Sequence, residues 1–380
     1  MTAVSLYLRL SGFYLCYFAI LGVLLPYWSL YLQSLGLRPA DIGALTAITL
    51  GTKVVAPNLW GWLADRTGRS MRIVRLACLA ALIFFAGVYP AGDSFTGLAL
   101  VIALFSFFWN AALPQFESTT LNHLGTQTHR YSGIRLWGSV GFIASALLSG
   151  VLVQHWGIGG IPGLLLLLFG ALWLDSLIVP EPPQRLNRPR QQALSGVIRQ
   201  PAVIALLVVC FLNQLSHGPY YAFFSIYLQK LGYSGSPIGA LWGLGVVAEI
   251  GIFLLIPRLL PALGARRLLL LAMALTSLRW WLLGRYAGQL GLLLFSQSLH
   301  AFSFGVYHAT AIYLIHQFFK GRHQGRGQAL YNSLSFGAGG ALGSLAAGYL
   351  WSSWGPEITY LLAAGVSTLG FIVAWRSLRW

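Results

Sequence analysis

Acidic residues are scarce in this 380-residue chain: 8 Asp and Glu stand against 24 Lys and Arg, and charged residues make up only 8%. A soluble domain carries about 25% charged residues, so the polar surface that would keep this chain in water is missing. That excludes a soluble enzyme, a secreted disulfide scaffold and a disordered region. Cysteine is equally sparse. Cys16, Cys78 and Cys210 lie in or at the edge of apolar runs and share no C-x-x-C spacing, so neither a disulfide framework nor a metal site is expected. Short alternating apolar segments are lacking as well, which argues against a transmembrane barrel. What the chain does hold is 57% hydrophobic residues in long unbroken runs. It reads as an all-α, multi-pass membrane protein.

About 20 apolar residues span the hydrocarbon core. On that ruler twelve spans are expected, at 10–33, 42–63, 73–91, 95–122, 131–154, 159–179, 203–229, 238–258, 268–284, 289–318, 328–351 and 358–377. The first exceeds a signal-peptide core of about 7–15 residues and reads as a transmembrane helix. Pro180-Glu181-Pro182-Pro183, followed by Arg185, Arg188, Arg190 and Arg199, reads as a polar linker between six-span halves. The predicted organisation is a bundle at 1–179, a cytoplasmic linker at 180–202 and a second bundle at 203–380.

The net charge of +16 is not a nucleic-acid footprint, because the basic residues sit in short gaps between apolar runs. With the N-terminus inside, eighteen Lys and Arg fall in inner segments and three in outer loops (Arg38, Lys230 and Arg285), while Lys53, Arg135 and Arg279 lie within spans. The positive-inside rule then places both termini in the cytoplasm. The expected location is the inner (plasma) membrane.

The halves repeat. Tyr31-Leu32-Gln33-Ser34-Leu35-Gly36 returns as Tyr227-Leu228-Gln229-Lys230-Leu231-Gly232, and Ile42-Gly43-Ala44-Leu45 as Ile238-Gly239-Ala240-Leu241. Both pairs lie 196 residues apart, and the same shift carries Arg130 to Arg326 and Gly141 to Gly337. Duplicated parallel halves are a transporter architecture with its site near the midplane.

Between spans 2 and 3 stands Gly61-Trp62-Leu63-Ala64-Asp65-Arg66-Thr67-Gly68-Arg69-Ser70-Met71-Arg72. It resembles the inter-span loop of the major facilitator superfamily, and the resemblance covers the whole chain. It implies twelve transmembrane helices in two pseudo-symmetric six-helix bundles. It also gives Asp65, Arg66, Gly68 and Arg69 a gating role. Leu25-Pro26-Tyr27-Trp28-Ser29-Leu30-Tyr31, Tyr131 to Ser139, Gly245 to Glu249, Leu278-Arg279-Trp280 and Leu299-His300 resemble the branch that contains lactose permease, with transporters of 3-phenylpropionate the closer likeness.

A charge at the bilayer centre costs about 2.5–3.5 kcal/mol on insertion scales, so each one calls for a reason. Lys53 and Glu249 lie mid-span and are again 196 apart. Glu117 and Arg135 lie on helices joined by a short loop, where they can meet as an acid–base couple. The branch resemblance gives such a pair to substrate binding, and matches Arg279 and His300 to an arginine of span 9 and a histidine of span 10. His308 follows on roughly the same helical face. The expected substrate-binding residues are therefore Lys53, Glu117, Arg135, Arg279, His300, Tyr27 and Trp28, and the expected proton-coupling residues are Glu249, His300 and His308. Arg135 and Arg279 could instead snorkel, Asp175 reads as a snorkelled surface acid, and Tyr27 and Trp28 could equally be packing.

No G-x-S-x-G, H-E-x-x-H or Walker motif occurs, so ATP-driven transport and enzymatic chemistry are not expected, and no cofactor is implied. Gly243-x-Gly245-x-x-Ala248 mimics a dinucleotide fingerprint but lies within an apolar helix. An ion gradient remains as the energy source, with a proton favoured by the titratable Glu249 and histidines. Three buried cations against two deep acids suit an organic anion, and neighbouring aromatics suit a ring. The expectation is a monomeric, proton-coupled symporter of a small aromatic carboxylate such as 3-phenylpropionate. A symporter of a sugar or nucleoside, or an exporter, is the alternative. A non-transporting sensor and an intramembrane enzyme lack the soluble domain and the paired site each would need.

Overall fold

The computed structural model describes residues 3–182 and 195–378, all helix, turn or loop, with no strand among them. The linker arginines Arg185, Arg188 and Arg190 lie outside the described residues. Eleven helices are long and apolar enough to cross a membrane. The first ten are α1 (Ser5–Ser34), α2 (Pro39–Ala64), α3 (Ser70–Ala91), α4 (Phe95–Leu124), α5 (Thr128–Trp156), α6 (Ile158–Ile178), α7 (Pro201–Lys230), α8 (Gly235–Leu263), α9 (Ala265–Tyr286) and α10 (Leu290–Phe318). The eleventh, Gln324–Ser377, breaks at Gly355, whose φ of 77° and ψ of −178° are non-helical. Glycine tolerates that left-handed φ, and Pro356 restarts the helix at its first turn. The break yields α11 (324–354) and α12 (356–377), and hence the twelve spans.

Helix ends follow from local chemistry. Arg38 and Asp41 form a capping box ahead of Pro39, and the Ser94 hydroxyl accepts from the Gly97 N–H at 3.2 Å to start α4. Basic residues near the end of α6 serve its open carbonyls. Arg9 Nη1 donates to Ile178 O at 2.7 Å, and Arg75 donates to Ser176 O at 3.2 Å and Val179 O at 2.7 Å. Cations at a helix C-terminus also meet its negative dipole end. Asp175, expected at the surface, instead turns inward: its carboxylate abuts Gly12 of α1, and Oδ2 is buried.

The chain forms two compact units: Met1–Leu186 with Leu228–Gly243, and Asn187–Tyr227 with Leu244–Trp380. In the first, α1 packs on α5 and α6, and α4 on α2 and α3. A Cβ at Gly141 would run into the Leu15 carbonyl, so α1 and α5 touch backbone to backbone. The unit also takes in the first turns of α8, where Gly235 and Gly239 lie against Gly150 and Ala146 of α5. In the second unit α7 packs on α11, and a Cβ at Gly343 would strike the Leu215 carbonyl. By packing, then, the counterpart of Gly141 is Gly343, six residues beyond the Gly337 that a uniform repeat indicates. Residues 333–339 form a π-helical turn, so the register of α11 does not run uniformly.

Candidate functional site

Each unit carries its own polar group. In the second unit the centre is Arg279 of α9, which is 0% exposed. A buried guanidinium must place its donors on protein acceptors. Nη1 donates to His300 Nδ1 at 2.9 Å and to Ser303 Oγ at 2.8 Å, and Nη2 donates to Gln297 Oε1 at 3.2 Å. Its faces meet Tyr220 and Trp280, with Cζ 4.3 Å and 4.6 Å from the ring centroids. The Tyr220 hydroxyl donates to the same Gln297 oxygen at 3.1 Å.

These contacts fix the state of His300. A guanidinium nitrogen only donates, so Nδ1 accepts and the imidazole is neutral, with its proton on Nε2. Nε2 lies 3.5 Å from Glu249 Oε2. Arginine, histidine and carboxylate thus form one line across α9, α10 and α8. Two glycines make the approach possible: a Cβ at Gly305 would crowd Ile252 and Glu249, and one at Gly245 would lie 3.3 Å from the imidazole. A π-helical turn over Ala301–Val306 directly follows His300, the kind of local widening common at functional sites. Beyond it, His300, Phe304 and His308 stack at 5.4 Å and 5.6 Å, and His308 Nδ1 sits 3.0 Å from the Tyr331 hydroxyl.

In the first unit Arg135 of α5 does not reach out to a surface. Its Cζ lies 3.8 Å from the Phe18 centroid and 5.7 Å from that of Tyr14. Glu117 of α4 accepts from the Tyr131 hydroxyl at 3.4 Å, and Tyr131 stands edge-on to Tyr14. The anticipated couple is therefore bridged by aromatics, and among the described residues no direct Glu117–Arg135 ion pair forms. Lys53 is half-buried on α2 and has no hydrogen bond or ion pair among the described residues. Beside it, Asn110 Nδ2 donates to Thr52 Oγ1 at 2.8 Å and to Thr49 O at 3.0 Å.

Tyr27 and Trp28, expected at the substrate, are engaged in buried contacts. The Tyr27 hydroxyl lies 2.8 Å from Ala146 O and 3.1 Å from Gly235 O, which share its one proton. Trp28 is buried, stacked on Tyr31 and against Phe85. The helix of α2 runs on to Thr67 and ends at Gly68, with φ 67°, and in its last turn Arg66 lies over Trp62 at 5.5 Å. Arg69 directly precedes α3 as its N-cap residue. The Asp65 side chain lies outside the described residues. Glu181 meets the N-terminus of α3, accepting from the Met71 N–H at 3.0 Å and from Ser70 Oγ at 3.3 Å.

Sequence reasoning passed over Gln297, Ser303, Asn110 and this role of Glu181. The signal for the first two was available: a buried arginine facing a histidine needs further acceptors, and these residues stand three before and three after His300.

Comparison with known proteins adds four findings. The MFS_1 like family model matches residues 7–362. A probable 3-phenylpropionic acid transporter of Escherichia coli K12 is 33% identical over 361 residues, 92% of each chain. A maltose permease of Geobacillus stearothermophilus is 28% identical over 368 residues, covering 95% of this chain and 92% of that one. Among solved structures, a point mutant of the nucleoside transporter NupG superposes with a TM-score of 0.88 at 17% identity, over 98% of this chain and 100% of that one. At that identity it speaks for the fold.

Proposed function

This chain belongs to the MFS_1 like family, and from that premise we propose that it is a proton-coupled symporter importing a small aromatic carboxylate by alternating access. It is a multi-pass membrane transporter and not an enzyme. The six-helix halves, 1–179 and 203–380, are the bodies that move. Both termini face the cytoplasm, and the transporter works as a monomer in the inner membrane.

The observation that carries the coupling is the line Arg279–His300–Glu249. Arg279 keeps His300 neutral by occupying Nδ1, so the histidine turns its Nε2 toward Glu249, 3.5 Å away, and Glu249 is the group that gains and loses the proton. Arg279 is sealed from solvent and acts as fixed counter-charge, leaving Arg135 and Lys53 to meet an anion. Arg135 lies on Phe18 and beside Tyr14, which places a cation and ring faces together. A carboxylate with an aromatic tail matches that chemistry, in accord with the name of the 33% identical relative.

A sugar or nucleoside is the second reading, favoured by the Glu117–Tyr131 pair as hydroxyl partners and, for a sugar, by the maltose permease relative. Competition separates the two. In proteoliposomes with an acid-outside gradient, excess 3-phenylpropionate should abolish labelled 3-phenylpropionate uptake, while lactose and uridine should leave it intact. Gradient-driven uptake of lactose or uridine, with none of 3-phenylpropionate, would favour the second reading.

A further inference from the structure

The helices that carry Glu117, Arg135 and Tyr14 also border a half-open cavity of about 370 Å3, toward the end where α1 starts and α4 finishes. Leu6, Leu10 and Ile134 form its apolar wall, and Thr126, Gln127 and Arg130 its polar side. Among the described residues, no carboxylate lines it. Arg130 gives one Nη1 hydrogen bond to Gln127 Oε1 at 3.1 Å, which leaves the rest of its planar fork of donors for an anion. The walls are pinned: Tyr7 donates to Gly133 O, and His123 Nε2 lies 3.1 Å from Pro180 O. Arg130 stands five residues before Arg135 on α5, and Tyr7 seven before Tyr14 on α1. At about 1.5 Å per residue those separations are ~7.5 Å and ~10 Å. Those separations are on the scale of a small organic carboxylate.

We propose that this cavity is a second station that binds an amphipathic organic carboxylate, its charge on Arg130 and its tail on the leucines, after it leaves Arg135. The proposal rests on the organic-anion reading above. An anionic phospholipid shares the same chemistry, so the test must separate the two sources.

Equilibrium binding of labelled 3-phenylpropionate and of decanoate is measured on the full chain in nanodiscs of phosphatidylcholine. Two components are expected for 3-phenylpropionate. Arg130→Gln should weaken the second by about tenfold and leave the first in place, while Arg135→Gln should do the reverse. Thr126→Trp, which fills the cavity from an exposed loop, should also remove the second component and covers the case in which Arg130→Gln fails to fold. If neither probe shows binding that depends on Arg130 or is blocked by Thr126→Trp, the proposal is overturned, whatever Arg135→Gln does. If 3-phenylpropionate does not bind but decanoate does so through Arg130, the substrate reading falls and the anion site stands. In phosphatidylglycerol discs, a second component that persists supports the station. One that vanishes there assigns the cavity to lipid and overturns its role as a station.

Discussion

A cation sealed inside a helix bundle is held by its partners, and removing one leaves a donor with nowhere to go. Replacing Ser303 by Ala takes one of the two acceptors from Arg279 Nη1. The cost of an unsatisfied buried donor is about 1–3 kcal/mol, read as a lowered unfolding midpoint of the purified protein. Arg279→Lys keeps the charge but cannot span Gln297, Ser303 and His300 at once. It should cut uphill uptake by about tenfold or more while the protein still folds, as thermal unfolding would report. Insertion cost made the charged members of this group legible, since Arg279 and Glu249 cannot lie mid-span without a reason. Their uncharged partners carry no comparable penalty, which is why Gln297 and Ser303 stayed hidden. Ser303 accepts from Arg279, and the acid of the group comes from α8 by way of His300.

Helix contacts depend on residues with no side chain to spare. Gly141→Leu would drive a side chain into the Leu15 backbone, and Gly343→Leu into Leu215. Overpacking costs about 1–3 kcal/mol, so both variants should unfold at lower temperature in detergent. Gly170 of α6 has nothing within 4 Å of its would-be Cβ, and Gly170→Ala should be neutral or stabilising by up to about 1 kcal/mol. Glu181 makes a parallel case at a helix end. Loss of its cap on α3 in Glu181→Ala should cost about 0.5–2 kcal/mol, measured in the same melts. The positions of the helices were readable because apolar runs of membrane length permit little else. The register of α11 was not, since a π-helical turn shifts packing without changing composition. The inward turn of Asp175 was equally hidden, because it depends on Gly12 of a distant helix leaving room.

Across the whole chain the imbalance of basic residues, eighteen against three, predicts an orientation. Cysteines introduced near each terminus should resist a membrane-impermeant thiol reagent added outside intact cells and react once the membrane is opened. Labelling of either one from outside would contradict that topology. The duplicated halves and the number of spans follow from the repeat and from hydropathy. The chemistry of the cargo does not, because a cation beside aromatic rings binds more than one kind of anion. The coupling claim is narrower and meets its test in proteoliposomes. There, 3-phenylpropionate accumulation under an imposed acid-outside pH gradient is compared between the native chain and Glu249→Gln, with counterflow exchange measured in parallel. The native chain should accumulate substrate and lose it when a protonophore is added, while the variant should exchange but never concentrate. Accumulation by Glu249→Gln equal to that of the native chain would contradict the assignment of Glu249 as the proton carrier.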